Sequence, residues 1–118
     1  MARRSPPRRV PRDDGGVDVA VLVSDLMLRS KVQAAIPGAR PIRDPAEAAG
    51  ADAVVVDLGR HADAVAAVRA VSPAARIVAF ASHVEREVLQ RAEAEGADAV
   101  MPRSRFFADP AAAVAVTP

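Results

Sequence analysis

The 118-residue sequence contains no cysteine, no tryptophan and no tyrosine. Without thiols, disulfide staples, thiolate metal centres and cysteine nucleophiles are excluded. Aromatic surface comes only from Phe80, Phe106 and Phe107, too little for a platform on which unpaired bases stack. Lysine is nearly absent as well, since Lys31 is alone and arginine makes up the rest of the 16 basic residues. Also missing are G-x-G-x-x-G, G-K-[ST], H-E-x-x-H and G-x-S-x-G, so conventional dinucleotide, P-loop, zinc-peptidase and serine-hydrolase chemistry has no support.

What is abundant is alanine, 28 residues by count, and small aliphatics. The length fits one domain with a core that needs no staples. Net charge is +1 but uneven: residues 1–16 carry five Arg against two Asp, whereas residues 17–118 carry 11 basic and 13 acidic groups. The segment "MARRSPPRRVPRDDGG" is Arg- and Pro-rich with little to bury, and is expected to be a disordered basic tail. Arg8-Arg9 resembles a twin-arginine export pair, but the following apolar run is interrupted by Asp18 and Asp25 and no cleavage pattern follows. The expected location is therefore cytoplasmic, with no membrane association. Nucleic acid is expected to meet this chain only weakly, through the tail.

From Val17 onward, short apolar runs alternate with helical stretches. "VDVAVLV" (17–23) predicts a strand, and "DLMLRSKVQAAI" (25–36) a helix with Leu28, Val32, Ala35 and Ile36 on one face. "ARPIR" (39–43) is a weak strand whose Pro41 belongs at a sheet edge. Asp44-Pro45-Ala46-Glu47 starts a short helix as a capping box. Strand 53–56 precedes a helix over about 62–71 with Val65, Val68 and Val71 inward. Strand 76–81 leads into a helix over 82–96, capped by Ser82 and Glu85, with Val84, Val88, Leu89 and Ala92 inward and Gly96 at its end. Strand 97–102 carries Pro102, "RSRFFA" reads as a loop, and Asp109-Pro110 opens a short terminal helix.

Such alternation implies an α/β three-layer sandwich around a parallel sheet. With both proline-bearing strands at the edges, five strands fit the flavodoxin-like (CheY-like) order 2-1-3-4-5. Ligands in these sheets collect beyond the carboxyl ends of the strands. That rim would hold Ser24 and Asp25, Asp57, Ala81 and Ser82, and Arg103 and Ser104. Asp57 is then a lone carboxylate ending a buried run on the central strand.

The pieces "VAVLVSDLMLRSKV", "ADAVVVDL", "RIVAFASH" and "EGADAVMPRS" resemble the receiver domain of two-component response regulators, over nearly all of residues 17–114. The resemblance implies that Asp57 is the candidate phosphoacceptor and that Asp25, with Asp57, could hold Mg²⁺. No cofactor is required by this reading, and a Mg²⁺ site would be weak. Of five family positions, only these two acids are kept. Ser24 replaces the first strand-1 acid, Ala81 the phosphoryl-sensing hydroxyl and Arg103 the lysine. Losing one acid weakens affinity for a hard cation, and a planar guanidinium does not reproduce an ammonium.

Each residue also has a plainer role. Asp57 could pair with Arg103 or cap a turn, Asp25 could favour a helix start, and Ser24 and Ser82 could be N-caps. Ser24, Ser82, His83, Arg103 and Ser104 are candidates for anion or phosphoryl contact. Phe106 and Phe107 could pack the last helix or anchor a partner. The expected function is a non-catalytic, phosphorylation-deficient receiver-like signalling domain acting by protein contact. The resemblance points to residues 84–115 for the partner, a sensor kinase or regulated protein, and the short last helix suggests a homodimer. The alternatives are a response regulator phosphorylated on Asp57 with Mg²⁺, and a small anion- or nucleotide-binding module.

Overall fold

A computed structural model of the chain describes residues 17–115. The expected tail over residues 1–16 lies outside them, as do residues 116–118. Strand β1 is Val19–Leu22, followed by helix α1 at Leu26–Ala35, β2 at Arg40–Pro41 and a 3-10 turn at Pro45–Ala48. Next come β3 (Ala53–Asp57), α2 (Ala64–Val71), β4 (Arg76–Ala81), α3 (Arg86–Ala94), β5 (Ala99–Pro102), α4 (Arg103–Ala108) and α5 (Pro110–Ala113). The strands form one sheet in the order β2-β1-β3-β4-β5, with every pairing parallel. This is the flavodoxin-like order, with Pro41 and Pro102 in the two edge strands.

The pattern of residues explains the layers. A strand with helices on both sides must be apolar on both sides, and β1 and β3 are buried at every position. Alternate side chains serve the two cores. Val19, Val21, Val55, Val78 and Phe80 meet Val32 of α1 and Phe106 of α4 on one face. Leu22, Val54, Val56 and Ile77 meet Val65 and Val68 of α2 and Ala92 of α3 on the other. The three phenylalanines close the first face as a cluster. Phe80 and Phe106 stack with centroids 4.9 Å apart, and Phe107 meets both edge-on.

The amino ends of the strands are tied by charge. Arg40 Nε donates to Asp18 Oδ1 at 2.8 Å, and the Asp18 amide donates to Asp52 Oδ2 at 2.7 Å. Arg69 of α2 donates to the carbonyls of Pro73, Ala75 and Gly96 and to Asp98 Oδ2. Asp98 also accepts from the Ile77 amide at 2.7 Å. No helix among the described residues is long and apolar enough to cross a membrane.

Several local expectations are corrected. "RSRFFA" is helix α4 rather than a loop, because Phe106 is driven into the core against Phe80. The helix expected over 82–96 begins only at Arg86. Only half of the expected box forms, within a turn ahead of the helix: the Glu85 amide donates to the Ser82 carbonyl at 2.9 Å rather than to its hydroxyl. The Ser82 amide donates to Glu85 Oε2 at 3.2 Å, and the Val84 amide lies 3.5 Å from Ser82 Oγ. Val84 consequently points outward, 72% exposed, and Val71 and Ala35 are also exposed rather than inward. The cap of α1 is Asp25, which accepts from the Leu28 amide at 3.0 Å, and not Ser24. The second strand shrinks to two residues, while the Asp44–Glu47 capping box forms as expected on a 3-10 turn.

Candidate functional site

Parallel strands deliver their carboxyl ends to one rim, and each loop there starts from a defined local structure. After β1, Ser24 is exposed and Asp25 caps α1. After β3, the chain turns at once: the Asp57 carbonyl accepts from the amides of Arg60 at 3.2 Å and His61 at 2.9 Å. After β4 comes the Ser82–Glu85 turn. After β5, α4 begins immediately, so Arg103 and Ser104 stand on its first turn.

Asp57 is 3% exposed. Its Oδ1 accepts from the Gly59 amide at 3.0 Å, so the carboxylate closes the turn that follows its own strand. Arg103 makes no ion pair with Asp57 among the described residues. The two nonetheless flank one point: a Cβ on Gly59 would lie 3.2 Å from Asp57 Oδ1 and 4.0 Å from Arg103 Nη2. Of the two plainer roles, turn-capping is the one observed. Gly59 keeps this space open.

Asp25, Asp57 and Arg103 line one open cleft of about 380 Å³, together with Met27, Arg60 and Glu85. The acid of the first loop, the acid of the central strand and the base of the last loop therefore converge. The other expected contacts do not join them. Ser82, His83 and Ser104 line a neighbouring cleft, with Arg103 on the border of both. Ser24 is engaged elsewhere, its Oγ 2.8 Å from Nε2 of His61. Ala81 is fully buried and offers no hydroxyl.

The donor set does not fit a dedicated Mg²⁺ cage. Asp25 and Asp57 each use one carboxylate oxygen on a backbone amide, of Leu28 and Gly59, and keep the other, a sparse set for a cation that otherwise relies on water. Among the described residues no three acidic, His or Cys side chains are arranged to hold an ion.

Two residues escape a reading of the sequence. His61 reaches the rim because the turn at Gly59 swings the fourth residue after Asp57 back over β1, and nothing in the local pattern announces that turn's direction. Lys31 lies in the second turn of α1, on the side that faces β5 and α4, with its ammonium 5.9 Å from the Phe107 ring centroid. Its signal was rarity, as the one lysine in the chain.

No protein-family model and no curated protein matches this sequence. Solved structures do resemble it in shape. A Burkholderia pseudomallei response regulator, determined with a phosphorylated aspartic acid, a calcium ion and citrate, aligns with a TM-score of 0.71 at 16% identity, over 85% of this chain and 67% of that one. NtrX from Brucella abortus, in complex with ADP, aligns with a TM-score of 0.67 at 15% identity, over 83% of this chain but 26% of its own. A response regulator from Thermotoga maritima aligns with a TM-score of 0.55 at 15% identity, over 74% of this chain and 84% of that one. At such identities the likeness is one of fold: the chain has the fold of response-regulator receivers.

Proposed function

We propose that this chain is a receiver-like signalling domain that works by protein–protein contact, without catalysis and without depending on a phosphoryl group at Asp57. The observation that supports this reading is the partial set gathered in one cleft. The scaffold presents Asp25, Asp57 and Arg103 together, but Ser24 is turned to His61 and Ala81 has no hydroxyl to give. A carboxylate attacks a phosphoryl group effectively only where the developing charge is neutralised from several sides. Here two of those sides are missing.

The contact surface in this reading runs from Val84 through α3, β5, α4 and α5. It includes Val84, which is exposed, as are Leu26 and Met27 on α1. A sensor kinase or a regulated protein in the cytoplasm would meet this surface, and a second copy of the chain could do so as well.

Incubation of the full chain with acetyl phosphate and Mg²⁺, followed by intact mass spectrometry, tests the reading. The expected mass is unchanged, and Asp57→Asn behaves identically. The Burkholderia pseudomallei protein carries a phosphorylated aspartic acid with calcium. An adduct on the wild-type chain that vanishes in Asp57→Asn would show that Asp57 shares that chemistry and would overturn phosphorylation independence.

A further inference from the structure

We propose that the second cleft at the rim binds a small organic phosphate, a phosphomonoester carried on a compact apolar body. This cleft, of about 330 Å³, lies between α1 and the junction of β5 with α4. Its ionisable wall residues are Lys31, His83 and Arg103, its hydroxyls are Ser82 and Ser104, and its apolar surface comes from Leu28, Pro102 and Phe107. No carboxylate lines it.

The make-up of this wall, cations and hydroxyls with no carboxylate among them, is what points to a ligand. Among the described residues three arginines have carboxylate partners, Arg40 with Asp18, Arg69 with Asp98, and Arg91 with Asp63 and Glu95, and the other arginines have none. Lys31 and Arg103 are both among the cations without an ion-pair partner, and they share one cleft. Holding two like charges on one concave wall costs energy unless a counter-charge sits between them. A phosphate supplies that charge and enough oxygens for an ammonium, a guanidinium and two hydroxyls, and arginine and lysine are the usual residues for it. The size matters too. The volume lies at the lower end of the range for small-molecule sites and exceeds what a bare inorganic anion fills. Leu28, Pro102 and the half-buried Phe107 would lose contact with water on binding an apolar body, the side of the site that orients rather than charges the ligand.

The proposal does not require phosphorylation at Asp57, whose carboxylate lies in the other cleft, although Arg103 lines both. Three probes separate its parts in calorimetric titrations of the full chain: phenyl phosphate, inorganic phosphate and phenol. Phenyl phosphate is expected to bind saturably, about tenfold or more tighter than inorganic phosphate, and phenol not at all. Lys31 is exposed, so Lys31→Met folds and should weaken phenyl phosphate binding about tenfold, the scale of one lost charge-assisted contact. Arg43→Met, an exposed cation outside the cleft, should leave it unchanged. No saturable binding of phenyl phosphate, equal binding of inorganic phosphate, or equal losses in Lys31→Met and Arg43→Met would each overturn the proposal.

Discussion

Among single residues, Arg69 and Asp98 show most clearly how a charge can hold a fold far from any site. Arg69 donates to three carbonyls, two in the loop between α2 and β4 and one after α3, and Asp98 joins it while accepting from β4. Arg69→Ala leaves those acceptors to water or to nothing, so it should lower stability by about 3 kcal/mol in urea unfolding, the scale of a few charge-assisted bonds that are not additive. The Asp98 carboxyl sits below its ordinary value of 3.8: partial burial opposes its charge, but the Ile77 amide and the Arg69 guanidinium outweigh that. A depressed acid stabilises the fold when ionised, so its contribution is complete above about pH 5 and disappears as the pH falls through the folded value, below 3.8. In wild type, urea midpoints should drop through this acid range more steeply than in Asp98→Asn, a difference that pH-dependent denaturation would register.

The elements differ in how plainly their residues announced them. β1, β3 and β4 were legible because a strand buried on both faces must be a continuous aliphatic run, and "AVVV" or "RIVAFA" permits little else. The end of α3 was legible for a backbone reason. Gly96 takes φ 108°, where side chains are strained, and lets the amides of Gly96 and Ala97 reach back to Glu93 and Ala92. Its start was not, since the same Ser-x-x-Glu spacing serves a turn here, with Ser82 Oγ met by the Val84 amide and the Glu85 amide donating to the Ser82 carbonyl. α4 was illegible because six residues give no period, and only the tertiary stacking of Phe106 on Phe80 decides them. Of the site, Asp57, Asp25 and Arg103 could be placed from strand order alone, whereas Lys31 and His61 needed the packing of α1 and the direction of a turn. Two predictions belong to this level. Phe106→Ala should cost about 3–5 kcal/mol and loosen α4, visible as lost helical signal and a lower Tm. Asp44→Ala removes the cap of the 3-10 turn and should cost about 1 kcal/mol, measurable as a small drop in denaturation midpoint with unchanged fold.

Taken whole, the molecule is a sheet that is dense at its centre and thin at its margins. β3 sits between β1 and β4, each of which has a further neighbour, while β2 contributes two residues and the residues of β5 are only half-buried. Native-state hydrogen exchange should therefore protect the amides of β3 and β4 up to the global unfolding energy and release those of β2 and β5 at lower cost. Equal protection across all five strands would contradict that hierarchy. The margins have one more consequence. Pro41 removes an outward-facing amide from a border only two residues long, whereas Pro102 lacks the amide that would continue the ladder from β5 to β4. Backbone zippering onto the β2 side, the route by which sheets fuse into larger sheets, is thereby made poor, and whatever docks there must read side chains.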